Sequence, residues 1–403
     1  MKTVVIIGGG ASGMMAALSA SENPENRIIL LERQQRVGKK LLATGNGRCN
    51  LTNIGAKPAN YHGEQPEFAV PALQKLPPEK VLEFFRRLGL LTVTEYGGRV
   101  YPLSNSANSV VDVLRFALQR DNIELRTSTP ARQIYKRGEG FVIKTDEGSI
   151  NADFVIVACG GAAGAKIGGV TDGYELLKGL GHKRTALRPS LVQLVTDPAY
   201  PRSLKGVRAQ AALRLTAGST TLAESRGELQ FTETGLSGPA AFDISRAASF
   251  CGEGGIVHID FLPDYDEKQI AQLLSDKAST LPTLAAGELL TGVLHNRLGK
   301  MIVKYSDINP SRRLYELNYT ELCRAAASCK SFDIALHGVG GFDSAQVTAG
   351  GIKTTGVNPQ TMESWFVPHL FICGELLDID ADCGGYNLQW AWASGYVAGR
   401  LGE

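Results

Sequence analysis

The chain has 403 residues, with 42 Lys and Arg against 40 Asp and Glu for a net charge of +2, and it is 43% hydrophobic and 20% charged. That composition excludes a disordered or linker-dominated chain, and the near-neutral charge argues against a strong pull toward nucleic acid or an anionic membrane. Glycine is in excess, 46 residues or about 11% against an average near 7%, with no period, so it must sit at specific backbone positions.

No segment reaches the roughly 20 apolar residues that span a bilayer. The apolar start is broken by glycines and followed by Glu32 and Arg33, which predicts a buried strand and not a leader. The cysteines (Cys49, Cys159, Cys251, Cys323, Cys329, Cys373, Cys383) are odd in number and scattered, with no CxxC pair and no histidine at metal-ligand spacing. They predict a reduced, cytoplasmic protein without a metal site.

In chain order, residues 3–7 are a continuous β-branched run, expected for a strand covered on both faces. Residues 8–13 predict a turn, 14–21 a short helix of small residues ending before Pro24, and 27–31 a second parallel strand closed by Glu32. Together they make a βαβ unit. Helices are expected over 78–88 and about 108–120, the second capped by Ser106. Strands are expected over 124–126, 131–135, 141–145 and 154–158, with the Asp146-Glu147-Gly148 turn making a β-meander.

After about residue 187 the texture changes. Strands at 192–195, 209–215, 228–232 and 256–261 predict a separate β-rich domain. Residues 266–330 read mostly as helix, with apolar spacing at Ile270, Leu273 and Leu274 and again at Leu289, Leu290, Val293 and Leu294. From about 345 the glycine-rich strand-and-helix texture returns. The expected architecture is an α/β, Rossmann-like domain in two parts, 1–187 and 338–403, interrupted by an inserted β-rich domain (188–265) and an inserted helical domain (266–337).

Gly8-Gly9-Gly10-Ala11-Ser12-Gly13 is a GxGxxG between strand and helix. Gly8 permits the tight turn, Gly10 lets a pyrophosphate approach the backbone, and Gly13 lets helix pack on strand. The helix N-terminus supplies free N–H groups and a partial positive charge. Glu32, at the end of the second strand, is placed to accept bonds from the adenosine ribose hydroxyls. A bound dinucleotide is expected at Gly8, Gly10, Ala11, Ser12, Gly13, Glu32 and Arg33, and these residues suit NAD(H) or FAD.

The rest of the chain decides between them. The stretch Gly38-Lys39-Lys40-Leu41-Leu42-Ala43-Thr44-Gly45-Asn46-Gly47-Arg48-Cys49-Asn50, with Leu51-Thr52-Asn53, resembles the G-K-K-x-x-x-(S/T)-G-x-G-R-C-N-x-T-N signature of the BaiN-like (YhiN-like) NAD(P)/FAD-dependent oxidoreductases. The resemblance implies a glutathione-reductase-like, FAD-binding Rossmann domain. It implies that this loop lies along the pyrophosphate and flavin through Lys40, Leu41, Gly45, Asn46, Gly47, Arg48, Cys49 and Asn50, with Ala131 also at the cofactor.

Phe154-Val155-Ile156-Val157-Ala158-Cys159-Gly160-Gly161 looks like the second flavin-side strand of these folds, and implies contacts from Ala158, Cys159, Gly160 and Gly161. Cys159 stands where Thr is common, as a reactive thiol or as a buried, inert one. Residues 160–164 lack GxGxxG spacing and no acid closes a following strand, so no separate nicotinamide fingerprint is read there. The run Leu370-Phe371-Ile372-Cys373-Gly374-Glu375, continuing through Asp378 and Asp380 to Gly384-Gly385-Tyr386-Asn387-Leu388-Gln389, resembles the family's G-E-x-x-D-x-x-G and G-G-Y-N-L-Q patterns, with Ala381 and Asp382 where a glycine is common. It implies Gly374, Glu375, Asp380, Gly385, Tyr386, Asn387 and Leu388 at the flavin. A helix over 387–399 would present its positive N-terminus to the flavin pyrimidine. Val347-Thr348-Ala349-Gly350-Gly351-Ile352 resembles a family motif that returns the chain to the cofactor domain. Residues 227–239 resemble the family's G-E-x-x-F-T-x-x-G-x-S-G-P, as a loop re-entering a cleft or as a structural corner packing a helix.

Members of this family are associated with reductive steps on steroid-like or bile-acid intermediates. The resemblance therefore implies an FAD-dependent ene-reductase that takes hydride from transiently bound NAD(P)H and reduces a C=C bond conjugated to a carbonyl in a small molecule. Arg48, Tyr386 and His337 are candidate catalytic donors, each with a structural alternative: Arg48 as a loop clamp, Tyr386 as packing, His337 as an interface histidine. The CxxxxC of disulfide reductases is absent, which argues against dithiol chemistry. Two other readings stand beside this one. Flavin-dependent tRNA modification is disfavoured by the near-neutral charge, and a non-catalytic flavin-binding redox sensor by the interrupted architecture. Neither a nucleic-acid nor a membrane partner is expected, and the sequence leaves the oligomeric state open.

Overall fold

The computed structural model describes residues 1–402. It divides into two compact units, Met1–Arg188 with Ala345–Glu403, and Pro189–Ser344.

The first unit is built on a five-stranded parallel sheet in the order Leu370–Ile372, Phe154–Val157, Lys2–Ile7, Asn26–Leu31, Ile123–Arg126. In the central strand Val4, Val5 and Ile6 are fully buried, as a β-branched run covered on both faces requires. Helix Ala11–Ala20 follows the first strand, and the C-terminal helix Tyr386–Gly399 packs against it. Two glycines set that crossing. A Cβ at Gly395 would stand 2.3 Å from the Ser12 carbonyl oxygen, and one at Gly399 2.5 Å from that of Ala16.

The meander Ala131–Arg137, Gly140–Thr145, Gly148–Ala152 forms as expected. A small antiparallel sheet joins Thr52–Asn53, Arg99–Pro102 and Thr92–Thr94. The two expected helices run Pro78–Arg87 and Ala107–Ala117. Ser106 occupies the cap position of the second, but its side chain makes no capping bond.

The second unit contains a closed antiparallel barrel of six strands, in the order Leu194–Thr196, Gly235–Ser237, Thr220–Phe231, Arg208–Ala217, Ile256–Asp260, Phe332–Val339. This differs from the expected β-rich and helical inserts on either side of residue 265. The closing strand comes from beyond the helices, and it pairs with Ile256–Asp260 on one side and Leu194–Thr196 on the other. Helices Glu267–Thr280, Asn296–Tyr305 and Tyr319–Lys330 bury Leu274, Ile302 and Ala326 in the same core as Phe231, Ile259 and Phe332. A helix at Pro239–Cys251, directly after the 227–239 stretch, joins that core. Residues 289–294 form turns instead of the expected helix, because their apolar spacing belongs to a buried connection in which Leu289 and Leu290 are fully covered. The first unit resumes at Ala345, seven residues later than the expected 338.

Among the described residues no helix is long and apolar enough to cross a membrane, and no group of His, Cys, Asp and Glu is arranged to hold a metal ion.

Candidate cofactor and active site

The GxGxxG turn is closed at two glycines and open at the third. A Cβ at Gly13 would lie 1.8 Å from the Gly8 carbonyl oxygen, and one at Gly8 (φ 109°) 2.5 Å from that of Ala158. At Gly10, the N-cap of helix Ala11–Ala20, a Cβ would meet nothing within 4 Å. No acidic residue occupies the first turn of that helix and no side chain caps it, so its N–H groups are left for an anionic ligand.

Glu32 ends the second strand. Its carboxylate accepts from the Gly9 N–H at 2.8 Å and the Gln34 N–H at 2.7 Å, which fixes its plane while leaving lone pairs for hydroxyl donors. The Thr129 N–H donates to the Glu32 carbonyl at 2.9 Å, bringing the start of the meander, and with it Ala131, toward that acid. Arg33 is exposed. The open cradle, the bare helix start and the oriented acid fit the adenosine pyrophosphate half of FAD.

The glycine-dense loop is held by its backbone. Gly45, Asn46, Gly47 and Cys49 have φ of 56°, 56°, 83° and 62°, so two residues with side chains sit in the left-handed region. The Cys49 N–H donates to the Thr44 carbonyl at 2.9 Å. Leu41 is buried in the core. Burial pushes the Cys49 and Cys159 thiols up to about 12, which favours their protonated forms near neutrality.

Lys40 pairs with Glu375 at 2.6 Å, and the other Glu375 oxygen accepts from the Thr348 N–H at 2.8 Å. Thr348 Oγ1 in turn accepts from the Ala163 N–H at 2.9 Å, just after Gly160 and Gly161. A Cβ at Gly161 would stand 3.1 Å from Glu375 Oε1. Three of the segments expected at the cofactor therefore converge on this carboxylate.

Gly374 touches the cofactor helix, since a Cβ there would lie 2.4 Å from Ser12 Oγ. Gly385 (φ 102°) is the N-cap of helix Tyr386–Gly399, and a Cβ there would lie 2.5 Å from the Thr52 carbonyl oxygen and 2.9 Å from Asn50 Oδ1. Asn50 Oδ1 is buried without a hydrogen-bond partner. An acceptor left this way beside a helix start suits a ligand carrying an N–H, as the pyrimidine edge of a flavin does. Asn387 is engaged with its own turn, bonding the Ala381 N–H at 2.9 Å and the Ala381 carbonyl at 2.8 Å. Asp380 is buried on a short strand paired to Tyr61–His62, and Leu388 is half-buried against the core.

The candidate donors separate. The Arg48 guanidinium lies 3.9 Å over the Tyr101 ring and is bonded to Glu95 and Asn105, the geometry of a loop clamp. Tyr386 begins the C-terminal helix, and its ring edge lies 3.1 Å from the point where a side chain at Gly384 would start. His337 stands on the exposed face of barrel strand Phe332–Val339, in the other unit. Sequence reasoning passed over Arg99 and Tyr101, on the strand that supports Arg48. The signal for them was the Gly97-Gly98 turn followed by the alternation Arg99-Val100-Tyr101-Pro102, with Val100 fully buried.

Over 407 aligned residues the chain is 40% identical to the 3-dehydro-bile acid delta(4,6)-reductase of Clostridium scindens, an alignment that covers 99% of this chain and 98% of that protein. It is 28% identical to the ribosomal RNA dihydrouridine synthase of Escherichia coli, covering 98% of this chain and 96% of that one. A solved 3-ketosteroid delta1-dehydrogenase from Sterolibacterium denitrificans shares the fold, with a TM-score of 0.51 at 13% identity over 99% of each chain. The family described as the HI0933-like protein Rossmann domain matches residues 2–401, and the chain belongs to this HI0933-like family of Rossmann-type FAD-binding oxidoreductases.

Proposed function

We propose that the protein is an FAD-dependent reductase that saturates a C=C bond conjugated to a carbonyl in a steroid-like, bile-acid-class molecule, with NAD(P)H as transient electron donor. The observation that carries this reading is the 40% identity to the bile-acid reductase over 99% of this chain. When bound, the flavin supplies hydride transfer between the nicotinamide and the acceptor.

The chain's own residues do the rest. The start of helix Ala11–Ala20 receives the pyrophosphate across Gly10, and Glu32 orients the ribose. The start of helix Tyr386–Gly399 places a partial positive charge beside Asn50, which would favour the added electron density of a reduced flavin held there. Tyr101 and Tyr386 are phenols near that end, and burial raises the Tyr101 pKa, so Tyr101 stays protonated and able to donate near neutrality. None of the seven cysteines is joined in a disulfide, which suits a reducing cytoplasm.

A second reading is favoured by the ribosomal RNA relative. Dihydrouridine arises by saturating a ring C=C conjugated to a carbonyl, so the same site chemistry would serve a uracil ring in RNA. The experiment is anaerobic. The purified yellow protein should bleach with NADH or NADPH and regain colour with a 3-oxo-Δ4 steroid, giving the saturated ketone. Failure to retain FAD overturns the reading. Bleaching without turnover of any enone points to a redox sensor, and dihydrouridine formed in ribosomal RNA in place of steroid product moves the assignment to the second reading.

A further inference from the structure

We infer that Arg99 holds the substrate's carbonyl oxygen, the atom on which negative charge develops as the conjugated C=C is reduced. The inference rests on the reductase reading and adds to it the residue that recognises the reacting carbonyl.

Arg99 opens the strand Arg99–Pro102 and is half-buried. Its Nε lies 3.7 Å from the point where a side chain at Gly384 would begin, the same point that the Tyr386 ring edge approaches to 3.1 Å. The guanidinium therefore adjoins the turn from which helix Tyr386–Gly399 starts, on the side of the unit that carries the unpartnered Asn50 Oδ1.

Among the described residues Arg99 makes no ion pair and no side-chain hydrogen bond. Its neighbour Arg48 contrasts with it, neutralised by Glu95 and stacked on Tyr101. The acid available in this hairpin is thus taken by one arginine and withheld from the other. A half-buried guanidinium without a protein acceptor loses hydration for no internal return, which is the arrangement expected where a ligand supplies the acceptor. Its planar donor set suits an oxygen bearing partial negative charge.

The surroundings also define the substrate's shape. Tyr101, two residues along the strand, shares Arg99's face. Val93 lies directly opposite Tyr101 across the antiparallel pair and is exposed, as are Leu91 and Leu103 at the end of the same hairpin. One cation and one phenol beside an apolar shelf match a largely apolar body that offers a single polar oxygen.

The chemistry balances without a further reagent. With flavin and reduced nicotinamide bound, they would supply the hydride that forms a C–H bond at the carbon remote from the carbonyl. The π pair of the C=C moves to give an enolate whose oxygen Arg99 holds. A proton from solvent or a phenol then closes the second C–H bond and restores C=O.

The test uses FAD-loaded wild type, Arg99→Met, Arg99→Gln and Arg99→Lys. Phenols of graded acidity serve as redox-inert enolate mimics, with binding read from the flavin absorbance, and enone reduction is measured alongside. The wild type should bind more acidic phenols more tightly. Arg99→Met and Arg99→Gln should lose that dependence and at least tenfold in affinity, with kcat down about 100-fold, while Arg99→Lys recovers part of both. FAD content and melting temperature should stay at wild-type values. Phenol affinity and kcat within twofold of wild type in Arg99→Met, or loss of FAD from both neutral variants, overturns the inference while leaving the reductase reading in place. A wild type that reduces no enone overturns the reductase reading and this inference with it.

Discussion

His182 shows how a single buried group governs the response to pH. It is 3% exposed, its Nε2 lies 2.8 Å from Ser364 Oγ, and its Nδ1 has no hydrogen-bond partner. Burial lowers its pKa to about 4 from 6.5. The unfolded chain therefore takes up a proton near pH 6.5 that the folded chain refuses until about pH 4. Stability from this group is complete above pH 6.5 and is lost as pH falls through that window, by up to about 3 kcal/mol. Urea unfolding between pH 4 and 7 should show that loss in the wild type, and His182→Phe should flatten it. An unchanged slope in the variant would assign the pH dependence to other groups. Cys49 and Cys159 make a parallel point, because burial raises both thiol pKa values and so disfavours the nucleophilic thiolate near neutrality.

At the scale of the element, the strand–turn–helix at Gly8 to Gly13 divides its glycines between folding and binding. Gly13 is filled by backbone and Gly10 faces open space. Gly13→Ala should destabilise the first unit by about 3 kcal/mol or more, since a methyl 1.8 Å from a carbonyl oxygen forces helix off strand. Gly10→Ala should leave stability within about 1 kcal/mol, because its φ of −80° suits alanine and no atom is displaced. On the proposed placement of the pyrophosphate at Gly10, it should nonetheless weaken FAD binding tenfold or more, as the methyl would enter that space. Paired denaturation and FAD titrations check both, and equal stability loss at the two positions would remove the distinction. This motif was legible in the sequence because each of its constraints acts between residues close along the chain. The Lys40–Glu375 pair was not legible as a pair, its members being 335 residues apart. Each was expected at the cofactor through a separate motif, and only folding shows one neutralising the other.

For the whole molecule, the barrel unit depends on a strand that arrives last. Phe332, fully buried, meets the Tyr305 ring at 4.5 Å, Tyr200 at 5.2 Å and Phe261 at 5.8 Å, so it joins residues from the barrel and the helices in one aromatic cluster. Phe332→Ala should cost about 3–5 kcal/mol, read by denaturant unfolding, and a loss below about 1 kcal/mol would mean that the barrel closes without it. The sequence by itself determined the βαβ cofactor unit, the meander, the return of the C-terminal segment and the family, because hydrophobic period, glycine placement and contiguous motifs act over short stretches. Only the tertiary structure decided that strands and helices of residues 189–344 form one unit, that Arg48 is occupied by Glu95, and that Arg99 stands beside the start of the last helix. The physical reason is common to all three. Barrel closure, ion pairing and the availability of a guanidinium depend on partners distant in the chain, and no local pattern encodes which partner arrives.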